Sequence, residues 1–244
     1  MGASRFPGKP LANILDLPMI EHVRRRTSLC KSIDEVYVAT CDQEIFNAVM
    51  ACGGQAIMTK DTHLRCTDRV EEAAHKIKAD IILIIQGDEP LLDLKVLEML
   101  IKAMLGNPKI ECANLLSVIS DEKDLLDIDI VKTVIGKNKN VIYYSRAPIP
   151  YLRCGKTRPM YRQTGISVFS NKFLQVYSRL PQTPLEVAES IDFLRIIENR
   201  FPILGVIYKN ETIGVDRPGD IANVETILKN DKEQNALYKK ILKI

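Results

Sequence analysis

Asp80-Ile81-Ile82-Leu83-Ile84-Ile85-Gln86-Gly87-Asp88-Glu89-Pro90 is the stretch that decides the fold. An unbroken apolar run, dominated by β-branched residues, leads into a turn of Gly, Asp and Pro. A run that does not alternate predicts a central strand covered on both faces, as in a parallel sheet. In open α/β sheets ligands sit beyond the carboxyl ends of the strands. That places Asp88 where a carboxylate can hold a divalent cation beside phosphate oxygens. The competing reading of Gln86–Pro90 is a plain turn, since Gly, Asp and Pro all favour one.

The same rhythm extends in both directions. Upstream, Asp34–Thr40 predicts a buried strand and Gln43–Cys52 a helix stopped by Gly53-Gly54. Gln55–Thr59 predicts a short strand, and Thr67–Lys78 an amphipathic helix with Val70, Ala73, Ala74 and Ile77 on one side. Downstream, Leu94–Leu105 predicts a helix and Cys112–Ile119 a strand. This order predicts an α/β protein with a Rossmann-like, doubly wound, mostly parallel sheet. Between about 130 and 170 the pattern changes. Val131–Ile135 and Val141–Ser145 flank Gly136-Lys137-Asn138 as a hairpin, and Arg162–Phe169 is a further strand. This β-rich part is expected to be an insertion in a single domain spanning residues 1–244, covering the cleft or building a dimer contact. Glu186–Asn199 predicts a helix, Ile203–Tyr208 a strand, and the chain from Pro218 onward is mostly helical.

Composition narrows the class. Of 244 residues, 46% are hydrophobic and 27% charged, which is ordinary for a globular chain and argues against disorder. A net charge of +3 is too mild for a nucleic-acid binder, yet suits an anionic small substrate if the cations converge. No apolar run approaches the roughly 18 residues that span a bilayer, and Met1–Pro10 lacks a signal-peptide core, so no membrane insertion is expected. Cys30, Cys41, Cys52, Cys66, Cys112 and Cys154 are spread without a CxxC pair, which fits a reduced cytoplasmic protein better than a disulfide framework or zinc site.

Four further segments carry chemistry. In Gly2-Ala3-Ser4-Arg5-Phe6-Pro7-Gly8-Lys9-Pro10 the small residues let backbone N–H groups approach phosphate, and Arg5 and Lys9 add cations that neutralise a triphosphate. A flexible terminus is the alternative. Gly214-Val215-Asp216-Arg217-Pro218-Gly219-Asp220 reads as a helix start with Asp216 as its N-cap, and gains weight as a site if Asp216 lies near Asp88. Arg65–Arg69 opens a helix, whose N-terminus attracts anions; simple capping explains it equally. Tyr144–Pro150 is a strand running into a rigid proline loop.

Taken in order, SRFPGKPLANI, VYVAT, the TDR of Thr67–Arg69, QGDEPLL, YYSRAPIPY, the TGI of Thr164–Ile166, the PLE of Pro184–Glu186 and GVDRPGDI resemble the CMP-Kdo synthetase family, the 3-deoxy-manno-octulosonate cytidylyltransferases. The resemblance covers nearly the whole chain. It implies a fold of the nucleotide-diphospho-sugar transferase type, usually dimeric, using Mg²⁺ and CTP, with an acidic sugar as acceptor. It implies that Arg5, Lys9, Asp88 and Asp216 form the catalytic set, with Asp88 and Asp216 as metal ligands. Gly2, Ala3, Arg5, Lys9, Thr67, Arg69 and Gln86 would hold the nucleotide. Arg146, Gln163, Glu189 and Asp192 would hold the sugar, with the helix Glu186–Arg195 and the strand around Gln163 facing it. His22 and His75 sit in helical patterns and are expected to be structural.

The chain departs from the family in two places. Family members begin with an apolar strand ending in a Pro-Ala-Arg-like turn ahead of the glycine loop, whereas Met1 here directly precedes Gly2. The expectation is that Met1 is an internal methionine and the start lies upstream. In the sugar pocket, a His-x-Gly-Ile-Tyr pattern is replaced by Gln163-Thr164-Gly165-Ile166-Ser167, and Glu-Gln by Asp192-Phe193. Sites that hydrogen-bond a substrate discriminate strongly on such groups, so CMP transfer is the firmer expectation, and the acceptor is Kdo or a close relative, with a related octulosonate, nonulosonate or other acidic sugar open. The alternatives are a nucleotidyltransferase of the same fold with another acceptor or nucleotide, and an inactive nucleotide-binding domain.

Overall fold

Residues 6–153 and 159–244 are described in a computed structural model of the chain. Gly2, Ala3 and Arg5 of the expected phosphate loop lie outside the described residues. The chain divides into two units, the first comprising residues 1–76, 85–98 and 212–244, the second 77–84 and 99–211.

In the first unit Lys9–Leu11 form a single 3-10 turn entered through Gly8, whose φ of 73° lies in the left-handed region that favours glycine. The hairpin β1 (Asn13–Ile14) and β2 (Leu17–Pro18) follows, then α1 (Met19–Ser28). α1 is polar in sequence but buried in structure. The fully buried Glu21 accepts from Arg24 Nε and Nη2 and from Arg25 Nε, all at 2.7 Å, so its charge is neutralised within the helix. Arg26 Nη1 donates to Gln234 Oε1 at 2.7 Å, and burial lowers the Arg26 pKa to about 10. β3 (Tyr37–Thr40) and β4 (Gln55–Met58) are parallel, with α2 (Gln43–Ala51) as their crossover. Asp42 caps α2 by accepting the Glu44 N–H, and Gly53 at φ 70° ends it. A Cβ on Gly54 would stand 2.6 Å from Arg24 Nε, so α1 requires glycine there. α3 (Cys66–Ala74) stops short of the expected Lys78.

β5 (Ile81–Ile85) and α4 (Leu94–Gly106) come next, and the unit boundaries cut them after Ile84 and Glu98. β5 differs from its sequence reading. Its burial alternates along the strand, and among the described strands its partner is β9 alone. A continuous apolar run therefore does not mean equal cover on both faces here.

The second unit is built on β6 (Cys112–Ile119), α5 (Glu122–Leu126), β7 (Lys132–Ile135), β8 (Val141–Ser145), β9 (Met160–Ser170), α6 (Asn171–Ser178), α7 (Pro184–Glu189), α8 (Phe193–Glu198) and β10 (Leu204–Tyr208). The strand order is β10-β6-β9-β7-β8, with β5 on β9. β10 and β6 are parallel, while the antiparallel pairs all involve β7, β8 or β9. The β-rich segment is thus woven into an α/β sheet. Phe169, at the end of β9, packs against Phe173, Tyr177 and Phe193 at centroid distances of 6.3, 6.3 and 5.8 Å, forming the aromatic centre of this core. The helix expected over Glu186–Asn199 is two helices. Ser190 ends α7 at φ 55°, and α8 restarts at Phe193. What joins them is a buried bidentate pair, Arg195 Nε and Nη2 on Glu186 at 2.8 and 2.6 Å.

From Thr212 the chain belongs again to the first unit, with α9 (Asp220–Asn230) and α10 (Lys232–Ile241). Val215, Val224, Leu228, Tyr238 and Ile241 share one apolar cluster with Ile14, Leu17 and Met19. Tyr238 Oη donates to Asp16 Oδ2 at 2.6 Å and Glu225 Oε1 accepts the Leu15 N–H at 3.0 Å, tying both helices to the β1–β2 hairpin.

His22 is structural, as its helical position suggests. Its Nε2–H donates to the Ile14 carbonyl at 2.8 Å and its ring stacks on Tyr238, while Nδ1 is buried without a partner. Burial, aided by Arg26 and Arg25, lowers its pKa to about 4. The unfolded chain therefore takes up this proton first. The stabilisation is complete above about pH 6.5 and is lost as the pH falls towards 4, a loss of about 3 kcal/mol. Urea titrations across that window should show a shallower pH dependence for His22→Gln than for the parent; parallel curves would refute the assignment.

Candidate active site

Two loops of the first unit meet through their backbones. The Asp88 carbonyl, just past the end of β5, accepts the Val215 N–H at 2.9 Å. This fixes the Gln86–Pro90 turn against the loop that precedes α9. That loop is held by Asp220, whose Oδ2 accepts the Asp216 and Arg217 N–H groups at 2.9 and 2.8 Å. Asp216 is therefore not the N-cap of α9, which is Gly219. Its carboxylate is left 63% exposed, while Asp220, the first residue of the helix, turns its own carboxylate back onto the preceding loop.

Lys9 enters between the two loops. Its Nζ donates to Asp88 Oδ2 at 2.7 Å and to the Val215 carbonyl at 2.9 Å, and lies 4.0 Å from Asp216 Oδ1. Three residues separated by up to 207 positions thus converge. The pair of carboxylates already gathers round a cation. Hard oxygen donors of this kind suit Mg²⁺, which takes one or two protein carboxylates and completes its shell with phosphate oxygens and water. Among the described residues no third His, Cys, Asp or Glu joins them.

The same unit carries a polar recess of about 500 Å³, lined by Ala39, Thr40, Cys41, Ile45, Asp61, His63 and Arg69. It opens past the carboxyl ends of β3 and β4, where an α/β sheet places ligands. Arg69, on the first turn of α3, is fixed by Nη1 bonds to Thr59 Oγ1 at 2.7 Å and the Lys60 carbonyl at 3.1 Å. His63 bonds Glu72 of α3, and Thr67, on the first turn of the same helix, is buried. Gln86 is exposed at the start of the Asp88 turn. Asp61 and His63 escaped the sequence reading because they fall in the loop between β4 and α3, outside any periodic pattern.

In the second unit, Arg146 and Glu189 are brought together, but largely for each other. Glu189 accepts Ser145 Oγ at 2.6 Å and the Arg146 N–H at 2.9 Å. Arg146 Nε returns to the Glu189 carbonyl at 2.8 Å and Nη1 to the Ile128 carbonyl at 2.8 Å. Lys132 is fully buried behind them, donating to the Asp127 and Ile130 carbonyls at 2.7 Å, and burial lowers its pKa. Gln163 lies on β9, in register with Leu116 of β6. Asp192 sits in the break between α7 and α8. Its charge is felt at the buried Tyr144, whose hydroxyl is pushed well up by desolvation first and by Cys112 and Asp192 after it. The expectation that Glu186–Arg195 faces a sugar along its length needs correction at both ends, because Glu186 and Arg195 are 0% and 3% exposed and spend their charges on one another.

An α/β scaffold that seats a lysine on two loop carboxylates, in a unit that also carries a polar recess at its strand ends, suits an enzyme that handles phosphate groups. Residues 1–213 match the model of the cytidylyltransferase family. The chain is 39% identical to the 8-amino-3,8-dideoxy-manno-octulosonate cytidylyltransferase of Shewanella pealeana, covering 94% of this chain and 96% of that one. It is 38% identical to the 3-deoxy-manno-octulosonate cytidylyltransferase of Geobacter metallireducens, covering 91% and 92%. A solved structure of CMP:2-keto-3-deoxy-manno-octonic acid synthetase complexed with CTP matches with a TM-score of 0.88 at 36% identity, covering 94% of this chain and 95% of that one. The chain belongs to the cytidylyltransferase family.

Proposed function

We propose that the chain transfers CMP from CTP to the anomeric hydroxyl of an acidic 3-deoxy-2-keto sugar, Kdo or a close relative, and releases pyrophosphate. The observation that carries this is the placement of Lys9 between Asp88 and Asp216. The hydroxyl oxygen attacks the α-phosphorus and gives up its proton to water, the α–β phosphoanhydride bond breaks, and its electrons leave with pyrophosphate. Such a transfer is mostly positioning and charge neutralisation, so no side-chain nucleophile is needed. Lys9, joined by Arg5 from the glycine loop, neutralises the triphosphate. Thr67, Arg69 and Gln86, with Gly2 and Ala3, hold the nucleotide, part of it in the recess that Arg69 lines. Asp88 and Asp216 would hold Mg²⁺, which would supply positive charge against the triphosphate and make the attacking hydroxyl more acidic. On the acceptor side Arg146, Gln163, Glu189 and Asp192 set the sugar, Arg146 and Glu189 through the loop they fasten.

The acceptor has a second reading. The Shewanella relative, named for an 8-amino octulosonate, is as similar as the Geobacter one named for Kdo. Pyrophosphate release should therefore be measured with CTP and Mg²⁺ across acidic sugars that include both. Release with either acid, and not with neutral sugars, is the expected result; silence with every acid from a folded protein would overturn the reading.

The whole of residues 1–244 is taken as one enzyme domain. Free thiols at Cys30, Cys41, Cys52, Cys66 and Cys112 fit a reducing cytoplasm, and no described helix is long and apolar enough to cross a membrane. Leu126, Ile128 and Ile142, exposed in or beside the β-rich segment, offer apolar surface for a homodimer.

A further inference from the structure

We infer that Lys9 is a placeholder for the metal ion: its ammonium closes the Asp88–Asp216 pair until a triphosphate draws it away, so metal and nucleotide load together. The inference rests on the proposed metal role of that pair. Lys9 Nζ lies 2.7 Å from Asp88 Oδ2, within 4.0 Å of Asp216 Oδ1, and is pinned by the Val215 carbonyl at 2.9 Å. The side chain is 13% exposed, so this is a seated contact and not a surface pair. A lysine ammonium is a compact point charge with three donors. Here two of those donors are spent on the acidic loop and on the Val215 carbonyl next to Asp216.

A divalent ion bound to Asp88 Oδ2 would stand about 2 Å from that oxygen. It would compete with the ammonium for the same lone pairs and meet a like charge at contact distance. Metal alone must therefore evict Lys9 and leave the amine with no anion. With a triphosphate present, the evicted amine gains phosphate oxygens, which accept strong charge-assisted hydrogen bonds. One residue thus serves two anions in turn, and the acidic pair stays neutralised when the nucleotide is absent.

The test uses Mn²⁺ as the probe, with no nucleotide and no sugar. Free Mn²⁺ is followed by electron paramagnetic resonance during titration of the full chain. Lys9→Gln is expected to bind Mn²⁺ at least tenfold tighter than the parent. Lys9→Arg, which keeps a cation, should bind no tighter than the parent, and Asp88→Asn added to Lys9→Gln should remove the gain. Equal affinity of Lys9→Gln and the parent, or a gain that survives Asp88→Asn, would overturn the inference. A second measurement needs no variant. Reductive methylation of Lys9 in the parent protein, read by peptide mass, should speed up when Mn²⁺ saturates the site, and an unchanged rate would refute eviction. Neither readout involves CTP, so a protein that transfers no CMP but shows these effects would sink the proposed reaction alone. An active enzyme without them would sink the placeholder alone.

Discussion

Asp88→Asn is expected to lower kcat/KM for CMP transfer by about 10²–10³-fold, or about 3–4 kcal/mol of transition-state stabilisation, with little change in thermal midpoint. The substitution removes charge and keeps volume. The amide oxygen can still accept from Lys9, whose bond at 2.7 Å is one of two that seat the ammonium. The backbone link from Val215 to the Asp88 carbonyl does not involve the side chain at all, so the two loops stay joined. What is lost is a negative oxygen able to hold a hard cation against a triphosphate. Steady-state pyrophosphate release together with a melting curve separates the two effects. Turnover within a few-fold of the parent would refute the role given to Asp88.

The largest effect on stability is expected at Glu186. Its carboxylate is fully buried and receives both Arg195 bonds, and Oε2 also accepts the Thr183 N–H at 3.3 Å. Arg195 lies over the Tyr177 ring at 4.5 Å and is 3% exposed. Glu186→Ala strands that guanidinium in the core, which costs about 3–5 kcal/mol. Replacing both members, Glu186→Met with Arg195→Met, should recover most of the loss, since well-packed apolar residues often replace a buried pair at little cost. Guanidinium unfolding of the three variants decides it; a loss under about 1 kcal/mol for Glu186→Ala would show that the pair does not hold α7 to α8.

Much of this was legible in the sequence because it rested on local signals. The Ile81–Ile85 run, the Gly53 stop and the hairpin around residues 136–140 all appear where periodicity and turn chemistry put them. The ordered motifs single out Lys9, Asp88 and Asp216, but they put the lysine on the triphosphate, and none of them requires its seat on Asp88. Other features depend on partners remote in sequence. Nothing marks Ser190 as left-handed, since serine lacks the freedom that makes glycine a helix stop, and the fold of α8 relies on a bond across nine residues. The third partner of Lys9 is a carbonyl, which every residue carries. The resemblance places Glu189 with the sugar ligands, and nothing in the sequence shows that its oxygens accept Ser145 Oγ and the Arg146 N–H, 44 and 43 residues away.

The closure of the first unit has a consequence for biosynthesis. Lys9 meets the Val215 carbonyl across 206 residues, and Tyr238 meets Asp16 across 222. Chains emerge from the ribosome amino end first, at about 5–20 residues per second. The β1–β2 hairpin and α1 therefore wait, for roughly ten seconds or more at such rates, with Ile14, Leu17 and Met19 uncovered until α9 and α10 appear. During that interval the nascent chain carries an exposed apolar face and an unassembled reaction centre. A chaperone that shelters the β1–β2 hairpin and α1 would raise the yield of active enzyme more than one acting after release.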